Sequence, residues 1–594
     1  MKQINPQDLI IHINTTPPSS KKGDVVALDL EIFHMDKNRL HRPHGDFAGI
    51  GCTYDGKEVW ILTSEGLEDE STFPSYMWVL DNALHVYHNA KFDVGQIRRY
   101  CDYPDRKLLW DTMVMEQIMF AGWFGAGEFG LNDLSRRWLD VYMDKSVREQ
   151  FENYENDTMS KEQIEYLAVD VVTTWRVQQA QSEHADENDL NVWYNIDRCA
   201  IYSLLKMNGM MLDVEAWKEL ARFNRSESER IQAKYGKIEP VEKVSRGKTV
   251  TVDKFVGINL GSWQQVSKEL SNQGFEIDST NEKSLNTITD KCEFARDVLD
   301  YRGFTKAAGT YGEKWVDEFV EPDGRIYSNF YVNGTATRRF SSSSPNVENI
   351  PSKDGNAFRK CFIAQPGYVL VDADFSTQEP RIWAYIAEDW DMIKLFKDKE
   401  DIYLYFALKG FGWVMPKSDP RRKLRMKPTV LGAIFGLTEY GLLNKDQIPL
   451  VEGKELLNVF WNKVFPLSKV YADKIRQTRD YVQSVYGGKY WINPYQNGHE
   501  NNAMNSPVQM TAAEVIKIAG YKFQLLVEKA GYSEFVWLVN YVHDELVVEC
   551  RKDLKDWVVQ NLGDVMMKVA ERTHDGVPAA IEVSSGLTWA EAHN

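Results

Sequence analysis

Short apolar runs that end in acidic residues recur along this chain. Residues 535–539 and 546–548 are β-branched runs of strand length, and a polar stretch with Asp544 and Glu545 lies between them. The pattern predicts a hairpin whose tip carries two adjacent carboxylates. Because adjacent carboxylates repel each other and are poorly desolvated, one interpretation places a divalent cation beside them. The other interpretation is an acidic surface turn.

A second apolar run, residues 369–374, ends at Asp374. If Thr377 caps the next helix, Pro380 lies in its first turn, where a missing N–H costs nothing. Asp374 would then stand at the end of a strand, free to face Asp544. Two carboxylates from separate strands that share two metal ions form the arrangement used for in-line phosphoryl transfer.

The first third of the chain holds a further set of acids. Alternation along a strand puts side chains two positions apart on one face, and helical spacing does the same for side chains four apart. Singly, each acid is typical of a cap or a surface position. The residues are Asp29 and Glu31 in a predicted strand, Asn89 and Asp93 where a strand runs into a helix, and Tyr166 and Asp170 in a predicted helix.

One predicted helix has a cationic N-terminal half and an apolar C-terminal half. Ser418 and Pro420 favour a helix start. Lysines beside a helix N-terminus suit a triphosphate, and apolar side chains suit a base and sugar. An amphipathic helix with a cationic rim is the alternative. The face repeats every four residues through Lys423, Lys427, Leu431 and Phe435.

Composition limits the class of protein. The 594 residues are enough for several domains, and neither a long apolar span nor a signal peptide is seen. Six scattered cysteines without CxxC pairs predict a reducing, intracellular setting with no disulfide and no zinc site. The net charge of −17 argues at face value against a nucleic-acid partner. A basic cleft can nevertheless coexist with an acidic outer face, so the charge changes the picture little.

Three of these segments resemble the palm and fingers motifs of family A DNA polymerases, the DNA polymerase I type. They are residues 374–381, the helix 423–436 and residues 543–545, in the order the family has them. The resemblance implies an α+β right-hand polymerase domain with palm, fingers and a helical thumb. It also implies primer–template DNA and dNTPs as partners, and two Mg²⁺ ions per active site, for which Mn²⁺ could substitute.

The N-terminal acids resemble the three exonuclease motifs of the DEDD type in its tyrosine variant. That resemblance implies an α/β, RNase H-like 3′→5′ exonuclease domain acting on the 3′ end of single-stranded DNA. Asp29, Glu31, Asp93 and Asp170 would hold two Mg²⁺ ions, while Tyr166 orients the attacking water. Asn89 is expected to contact the DNA strand, and Asp111 is interpreted as structural.

The resemblance also implies roles in the polymerase site. Asp374, Asp544 and the Phe375 carbonyl would bind the metal ions, and Glu545 would tune the site. Arg422, Lys423 and Lys427 would bind the triphosphate, Leu431 and Phe435 would contact the base and sugar, and Glu379 would exclude the ribose 2′-OH. The expected DNA contacts are Arg339, His543, Asn505 and Gln509.

Some positions depart from the family. Arg338 stands where glycine is usual, and Lys423 replaces an arginine, giving a point charge instead of a fork. Leu431 replaces an aromatic residue, which predicts discrimination against dideoxynucleotides.

The resemblance suggests domain boundaries. These are residues 1–185 for the exonuclease, 186–330 for a linker and helical thumb, 331–395 and 500–594 for the two parts of the palm, and 396–499 for the fingers. A basic segment, residues 237–254, is either a tip that grips duplex DNA or a solvated hairpin. It is too short to hold a processivity factor, so that partner is not predicted. With no segment left for a 5′-nuclease, the layout favours a phage-type replicative enzyme.

The expected function is therefore template-directed DNA synthesis with proofreading. Three rival hypotheses stay open: a single-subunit RNA polymerase, a nuclease with a degenerate polymerase body, and a non-catalytic DNA-binding protein. Glu379 and the exonuclease motifs speak against the first. Two intact acid sets speak against the third.

Overall fold

The computed structural model describes residues 3–34, 44–104, 107–125, 127–151, 158–245, 248–351 and 357–593, with side chains left out over 241–254. No helix within these ranges is long and apolar enough to cross a membrane. All six cysteines are free thiols.

The N-terminal segment is a six-stranded mixed sheet with helices packed against it. The strands run in the order β1-β4-β3-β2-β5-β6, so β2 lies inside the sheet. The elements are β1 Ile10–Ile13, β2 Val25–Phe33, β3 Asp46–Thr53, β4 Glu58–Thr63, α1 Thr72–Trp78, β5 Leu84–Tyr87, α2 Ala90–Ile97, β6 Leu109–Asp111, α3 Thr112–Met119, α4 Leu131–Leu139 and α5 Lys161–His184.

Helices and one long hairpin make up the middle of the chain. A π-helical turn, Trp193–Asp197, joins its first two helices. The elements are α6 Glu187–Val192, α7 Arg198–Leu205, β7 Met210–Leu212, α8 Val214–Ala233, β8 Gly236–Ser245, β9 Lys248–Gly257, α9 Trp263–Asn272, α10 Glu282–Asn286, α11 Glu293–Thr310, α12 Glu313–Phe319, β10 Arg325–Ile326, β11 Asn329–Tyr331 and β12 Ser341–Ser343.

The predicted helical thumb thus contains a hairpin that the helical pattern did not indicate. Strands β8 and β9 pair in register over their ten residues each. This hairpin coincides with the basic segment, and its backbone is compatible with both interpretations of that segment. Arg246 and Gly247, and the side chains of Lys243, Lys248 and Lys254, lie outside the described residues. Lys237 is exposed and pairs with Glu239.

Next come the first strands of the predicted palm and a helical segment. A second π-helical turn, Arg422–Met426, leads directly into α17. The elements are α13 Ala357–Lys360, β13 Phe362–Ile363, β14 Tyr368–Phe375, α14 Gln378–Ile386, α15 Trp390–Lys397, α16 Ile402–Phe411, α17 Lys427–Ile434, α18 Glu439–Asp446, α19 Leu450–Val459, α20 Pro466–Ile475, β15 Tyr481–Gln483 and β16 Lys489–Trp491.

The last segment covers the second part of the predicted palm. A four-stranded antiparallel sheet has the order β17-β18-β14-β19, with the long helix α21 beside it. The elements are α21 His499–Lys529, β17 Val536–Val542, β18 Glu545–Arg551, α22 Lys555–Thr573, β19 Ile581–Gly586 and α23 Trp589–Ala592. The hairpin predicted around Asp544 is confirmed, with His543 and Asp544 at its turn.

One local prediction is wrong. Thr377 precedes α14, but its side chain does not cap the helix. The Thr377 backbone is left-handed, with φ of 54°, and its hydroxyl donates to the Ser376 carbonyl instead. Pro380 does lie in the first turn of α14, as predicted.

Candidate active sites

The first acid cluster is built on β2. Asp29 and Glu31 lie two residues apart on that strand, and their carboxyl oxygens come within 4.8 Å of one another and of Asp170. Burial, reinforced by the charge of Asp170, raises the pKa of Asp29 to about 7. Burial and Asp29 also raise the pKa of Glu31. A neighbouring positive charge would therefore stabilise the ionised form of these carboxylates.

Helix α5 brings Tyr166 and Asp170 to the same place. The helix packs closely on the sheet because β3 has glycine at the contact: a Cβ on Gly51 would lie 2.9 Å from a Val171 methyl. Leu167 and Val171 are completely buried there, and each such side chain contributes about 2 kcal/mol through burial. Tyr166 and Asp170 are one turn apart on this anchored face.

Asp93 is buried near the cluster but is held differently. One of its carboxylate oxygens accepts a hydrogen bond of 3.0 Å from the Leu30 amide, in the strand segment between Asp29 and Glu31. Burial and the charge of Asp29 raise its pKa. Asn89 precedes α2 in a left-handed conformation. Asp111 accepts hydrogen bonds from four backbone amides, among them those of Asn89 and Ala90, so the structural interpretation is confirmed.

The residue types and the orphaned oxygens fit divalent cations. Oδ2 of Asp29 and Oδ1 of Asp170 are buried and find no hydrogen-bond partner among the described residues. Hard cations such as Mg²⁺ take carboxylate oxygens as ligands. Sequence reasoning missed Lys145, whose ammonium lies 2.7 Å from Asp170 and 3.3 Å from the Tyr166 hydroxyl. A lone lysine in an irregular segment carries no sequence signal of this contact.

The second acid cluster lies on the palm sheet. Asp374 on the inner strand β14 is opposite Glu545 on β18, and the Phe375 amide lies 3.4 Å from the Asp544 carbonyl oxygen. Burial and the charges of Asp544 and Glu545 raise the pKa of Asp374 to about 7. Burial also raises the pKa of Asp544. Strand and hairpin turn therefore bring together the acids that the sequence predicted to meet.

Glu545 is held away from solvent by the C-terminal helix. It accepts a 2.8 Å hydrogen bond from the Trp589 indole, and His593 lies 3.4 Å from it. Burial and the charge of Asp372 raise its pKa to about 8. Asp372 and His593, themselves 3.0 Å apart, were missed as site neighbours. Alternation along β14 could have found Asp372, two positions before Asp374, but contact with His593 depends on the tertiary fold.

Arg339, Glu379 and His543 lie at the edge of this cluster. The Arg339 guanidinium is 2.6 Å from a Glu379 carboxylate oxygen. Burial, followed by the charge of Arg339, lowers the pKa of His543. Burial raises the pKa of Glu379, and the charge of Arg339 opposes that shift.

The fingers helix presents the predicted face and begins at Pro420, as predicted, although a π-helical turn follows directly. Lys423 and Lys427 are exposed, and Leu431 and Phe435 are half-buried. The charge of Lys427 acts to lower the pKa of Asp544, so this lysine faces the acids. Arg422 is not free: its guanidinium pairs with Asp401 and lies over the Tyr403 ring.

Helix α21 presents a polar edge. Asn505 and Gln509 are half-buried and one turn apart, whereas the three residues between them, 506–508, are buried. Pro507 lies within the helix. This alternation orients the two amide side chains away from the core.

Comparison with known proteins agrees with this geometry. The sequence model described as DNA polymerase family A matches residues 236–591. The chain belongs to DNA polymerase family A. A second model, described as 3′-5′ exonuclease, matches residues 14–183. The two matched regions contain the palm acids and the N-terminal acids respectively.

Individual relatives are bacterial. The chain is 33% identical to DNA polymerase I of Caldicellulosiruptor bescii over 326 residues, which cover 53% of this chain and 38% of that protein. It is 25% identical to DNA polymerase I of Rhizobium leguminosarum over 630 aligned positions, which cover 98% of this chain and 57% of that protein. The chain thus spans about half the length of such relatives.

The architecture also matches a solved structure. The POL domain of Pol1 from M. smegmatis, in a complex with DNA primer-template and dNTP, superposes with a TM-score of 0.76 at 21% sequence identity, covering 96% of both chains. At this identity the match supports the fold: an N-terminal exonuclease-type α/β domain followed by a polymerase domain.

Proposed function

We propose that this family A member is a template-directed DNA polymerase with a 3′→5′ proofreading exonuclease. The observation that carries the proposal is the pair of carboxylate clusters on one chain, each built on an inner strand of its sheet and each with partly buried acids whose pKa is raised. The exonuclease cluster serves the 3′ end of single-stranded DNA. The palm cluster serves primer–template DNA and dNTPs.

Each cluster would hold two Mg²⁺ ions, which activate an attacking oxygen and offset charge on the phosphate. In the palm, Asp374 and Asp544 would hold the ions, together with the Phe375 carbonyl. In the exonuclease site, Asp29, Glu31, Asp93 and Asp170 would hold them, and the Tyr166 hydroxyl would orient water. Partial burial of these carboxylates disfavours their charged form and so makes a cation a favourable partner.

Other residues of the chain would align the substrates. Lys423 and Lys427 would bind the triphosphate, and Leu431 and Phe435 would pack on the nucleoside. The carboxylate of Glu379 would meet a ribose 2′-OH and so favour deoxynucleotides. The proposed DNA contacts are Arg339, His543, Asn505 and Gln509 at the primer end and template, and Asn89 in the exonuclease site.

Extension of an end-labelled primer on a longer template tests the proposal. With Mg²⁺, the wild-type chain should lengthen the primer with dNTPs, shorten it without nucleotide, and reject NTPs. Asp544→Ala should lose synthesis by about a thousandfold and keep degradation, and Asp29→Ala should do the reverse. Joint loss of both activities in either variant would show that the sites are wrongly assigned. Degradation under every condition would mean that only the exonuclease cluster is active.

Our narrower proposal is an intracellular, phage-type replicative role, which the bacterial relatives do not support. Extension of a long single-stranded circle at limiting enzyme would test it. Completion of long products in one binding event is expected of a replicative enzyme. Products of only a few tens of nucleotides would argue for a repair role instead.

A further inference from the structure

Two adjacent arginines in the turn between β11 and β12 point in different directions. Arg338 adopts a left-handed backbone with φ of 57°, and its amide donates to the Thr335 carbonyl at 2.9 Å. Its side chain is 1% exposed, whereas that of Arg339 is 31% exposed. The left-handed residue therefore sends one guanidinium into the interior and leaves the next one facing the active site.

The interior guanidinium enters a buried network of charges. It donates to the Glu514 carboxylate of α21 and lies 3.7 Å from Asp197, the last residue of the first π-helical turn. Lys517 of α21 lies 2.7 Å from the other oxygen of Asp197. These three partners have fully buried side chains. Two acids and two bases thus balance in a site where an unpaired charge would be strongly unfavourable.

The network also grips the turn at a second point. The side-chain amide nitrogen of Asn333 donates to Asp197 at 2.9 Å, and the side-chain oxygen of Asn333 accepts from Lys517 at 2.7 Å. Gly488 provides the space, since a Cβ there would collide with the Arg338 guanidinium. The short segment from Asn333 to Arg338 is therefore fixed to the palm helix at both ends.

Arg339 follows directly, and its backbone is held by the same turn. The Gly334 amide donates to the Arg339 carbonyl at 3.0 Å, and the Arg339 amide donates to the Thr335 hydroxyl at 3.1 Å. The Arg339 guanidinium in turn holds Glu379 at 2.6 Å. An unbroken chain of contacts thus runs from the buried network to the carboxylate of Glu379.

We propose that Arg338 is a positioning residue for sugar selection, because its buried network fixes the Arg339–Glu379 pair. A carboxylate held by a fixed guanidinium cannot move aside for a ribose 2′-OH, whereas a loosely held one can. The proposal rests on the proposed function, in which Glu379 excludes ribonucleotides. Its ligand class is the nucleoside triphosphate, with discrimination at the sugar.

The test is the ratio of kcat/KM for dATP to that for ATP in single-nucleotide primer extension. Arg338→Gly keeps the left-handed backbone and removes the guanidinium, so the ratio should fall about tenfold. Arg338→Lys keeps a cation for Glu514 and should restore part of the ratio. Exonuclease rates on single-stranded DNA should stay within about twofold of wild type in both variants.

Arg325→Ala is the matched control. Arg325 and Glu549 form another buried pair, with side chains 6% and 0% exposed, and Arg325 has no described contact with Arg339 or Glu379. It should lower thermal stability and leave the dATP to ATP ratio unchanged. A wild-type ratio in Arg338→Gly, with a stability loss like that of Arg325→Ala, would overturn the proposal and leave Arg338 a purely structural residue.

Two further variants keep the result decisive. If Arg338→Gly does not fold, Glu514→Gln preserves the side-chain volume and the 2.8 Å bond from Ser484 but removes the charge that holds Arg338. An unchanged ratio in Glu514→Gln would then overturn the proposal. An unchanged ratio in Glu379→Ala would instead show that sugar exclusion itself is wrongly assigned, independently of Arg338.

Discussion

The ionised form of Asp374, which cation binding would need, is disfavoured in the folded protein. Burial and neighbouring carboxylates raise its pKa to about 7, so the carboxylate is disfavoured in the folded chain without a cation. In the unfolded chain the same group releases its proton near pH 4. Between these values the folded state binds more protons, and stability therefore falls as pH rises from about 4 to 7.

We expect Asp374→Asn to be more stable than wild type by about 1–2 kcal/mol at pH 8 in EDTA, because it removes one of the repelling charges. Synthesis should be lost. The measurement is urea unfolding at pH 5 and pH 8, with and without Mg²⁺. The advantage should shrink at pH 5 and in Mg²⁺. An equal advantage under all four conditions would contradict charge repulsion as its cause.

At the scale of elements, the fingers helix has the cationic and apolar face that residue spacing predicted, and also a π-helical turn that spacing did not indicate. The π-helical turn Arg422–Met426 adds a residue to the first turn, and Arg422 uses its guanidinium on Asp401. Lys427 begins the regular helix and acts on Asp544. Of the cations on this helix, Lys427 has the clearest link to the acids.

Lys427→Ala should therefore raise KM for dNTPs by about tenfold or more, since a triphosphate loses a charged contact in a partly desolvated site. Steady-state primer extension measures the effect, and the exonuclease rate should not change. Lys454→Ala, at an exposed position on the neighbouring helix α19, is the control. Equal KM values in the two variants would exclude Lys427 from triphosphate binding.

Strand β5 carries a buried histidine with a pH consequence. The His85 ring bonds the Leu80 carbonyl and the Tyr103 hydroxyl, each at 2.9 Å, and burial lowers its pKa to about 3. The unfolded chain binds a proton near pH 6.5. The unfolded state thus holds more protons between about pH 3 and 6.5, and stability falls as pH drops through that window.

From pH 7 to pH 5, His85 should cost the folded exonuclease segment about 2 kcal/mol of stability. His85→Gln should be less stable than wild type at pH 7 but should lose less on acidification. Hydrogen exchange of the β5 amides, corrected for intrinsic rates, measures the difference. His184→Gln, at an exposed site, should follow the wild-type pH dependence. Identical slopes for His85→Gln and wild type would refute this origin.

At the scale of the whole molecule, the fingers hairpin β15–β16 connects the two halves of the chain. Lys489 lies 2.6 Å from Asp186 and 3.1 Å from Asp189, at the start of α6. The Trp491 indole donates to the Met119 carbonyl of the exonuclease segment at 2.7 Å. The hairpin thus fastens the exonuclease segment to the polymerase.

Lys489→Met should destabilise this junction by about 2 kcal/mol, because it leaves buried Asp189 without its cation. Hydrogen exchange should accelerate over α6 and β16 and stay unchanged in the palm sheet. Lys474→Met, at an exposed position on α20, is the control. Uniform acceleration across the chain would mean that the pair supports global stability and not the junction.

Local patterns predicted where several acids of both clusters lie, whereas the roles of these acids were expected only from the family resemblance. Alternation placed Asp29 and Glu31 on one face of β2, and the polar break in an apolar run located the Asp544 hairpin. Such signals survive in sequence because backbone geometry repeats every two or four residues. The thumb hairpin was only one of two alternatives, since its polar strands lack the apolar alternation of a half-buried sheet.

From its local patterns, the sequence predicted the strand or helix that carries most of these acids, and the resemblance of its motifs predicted the family and the grouping of the acids into two sites. The tertiary structure was needed to show that Trp589 and His593 contact Glu545. It also showed that Lys145 pairs with Asp170, and that Asp197 and Glu514 balance the charge of Arg338. The physical reason is range. Periodicity records contacts a few residues apart, whereas a buried charge is balanced by any residue that folding brings near it.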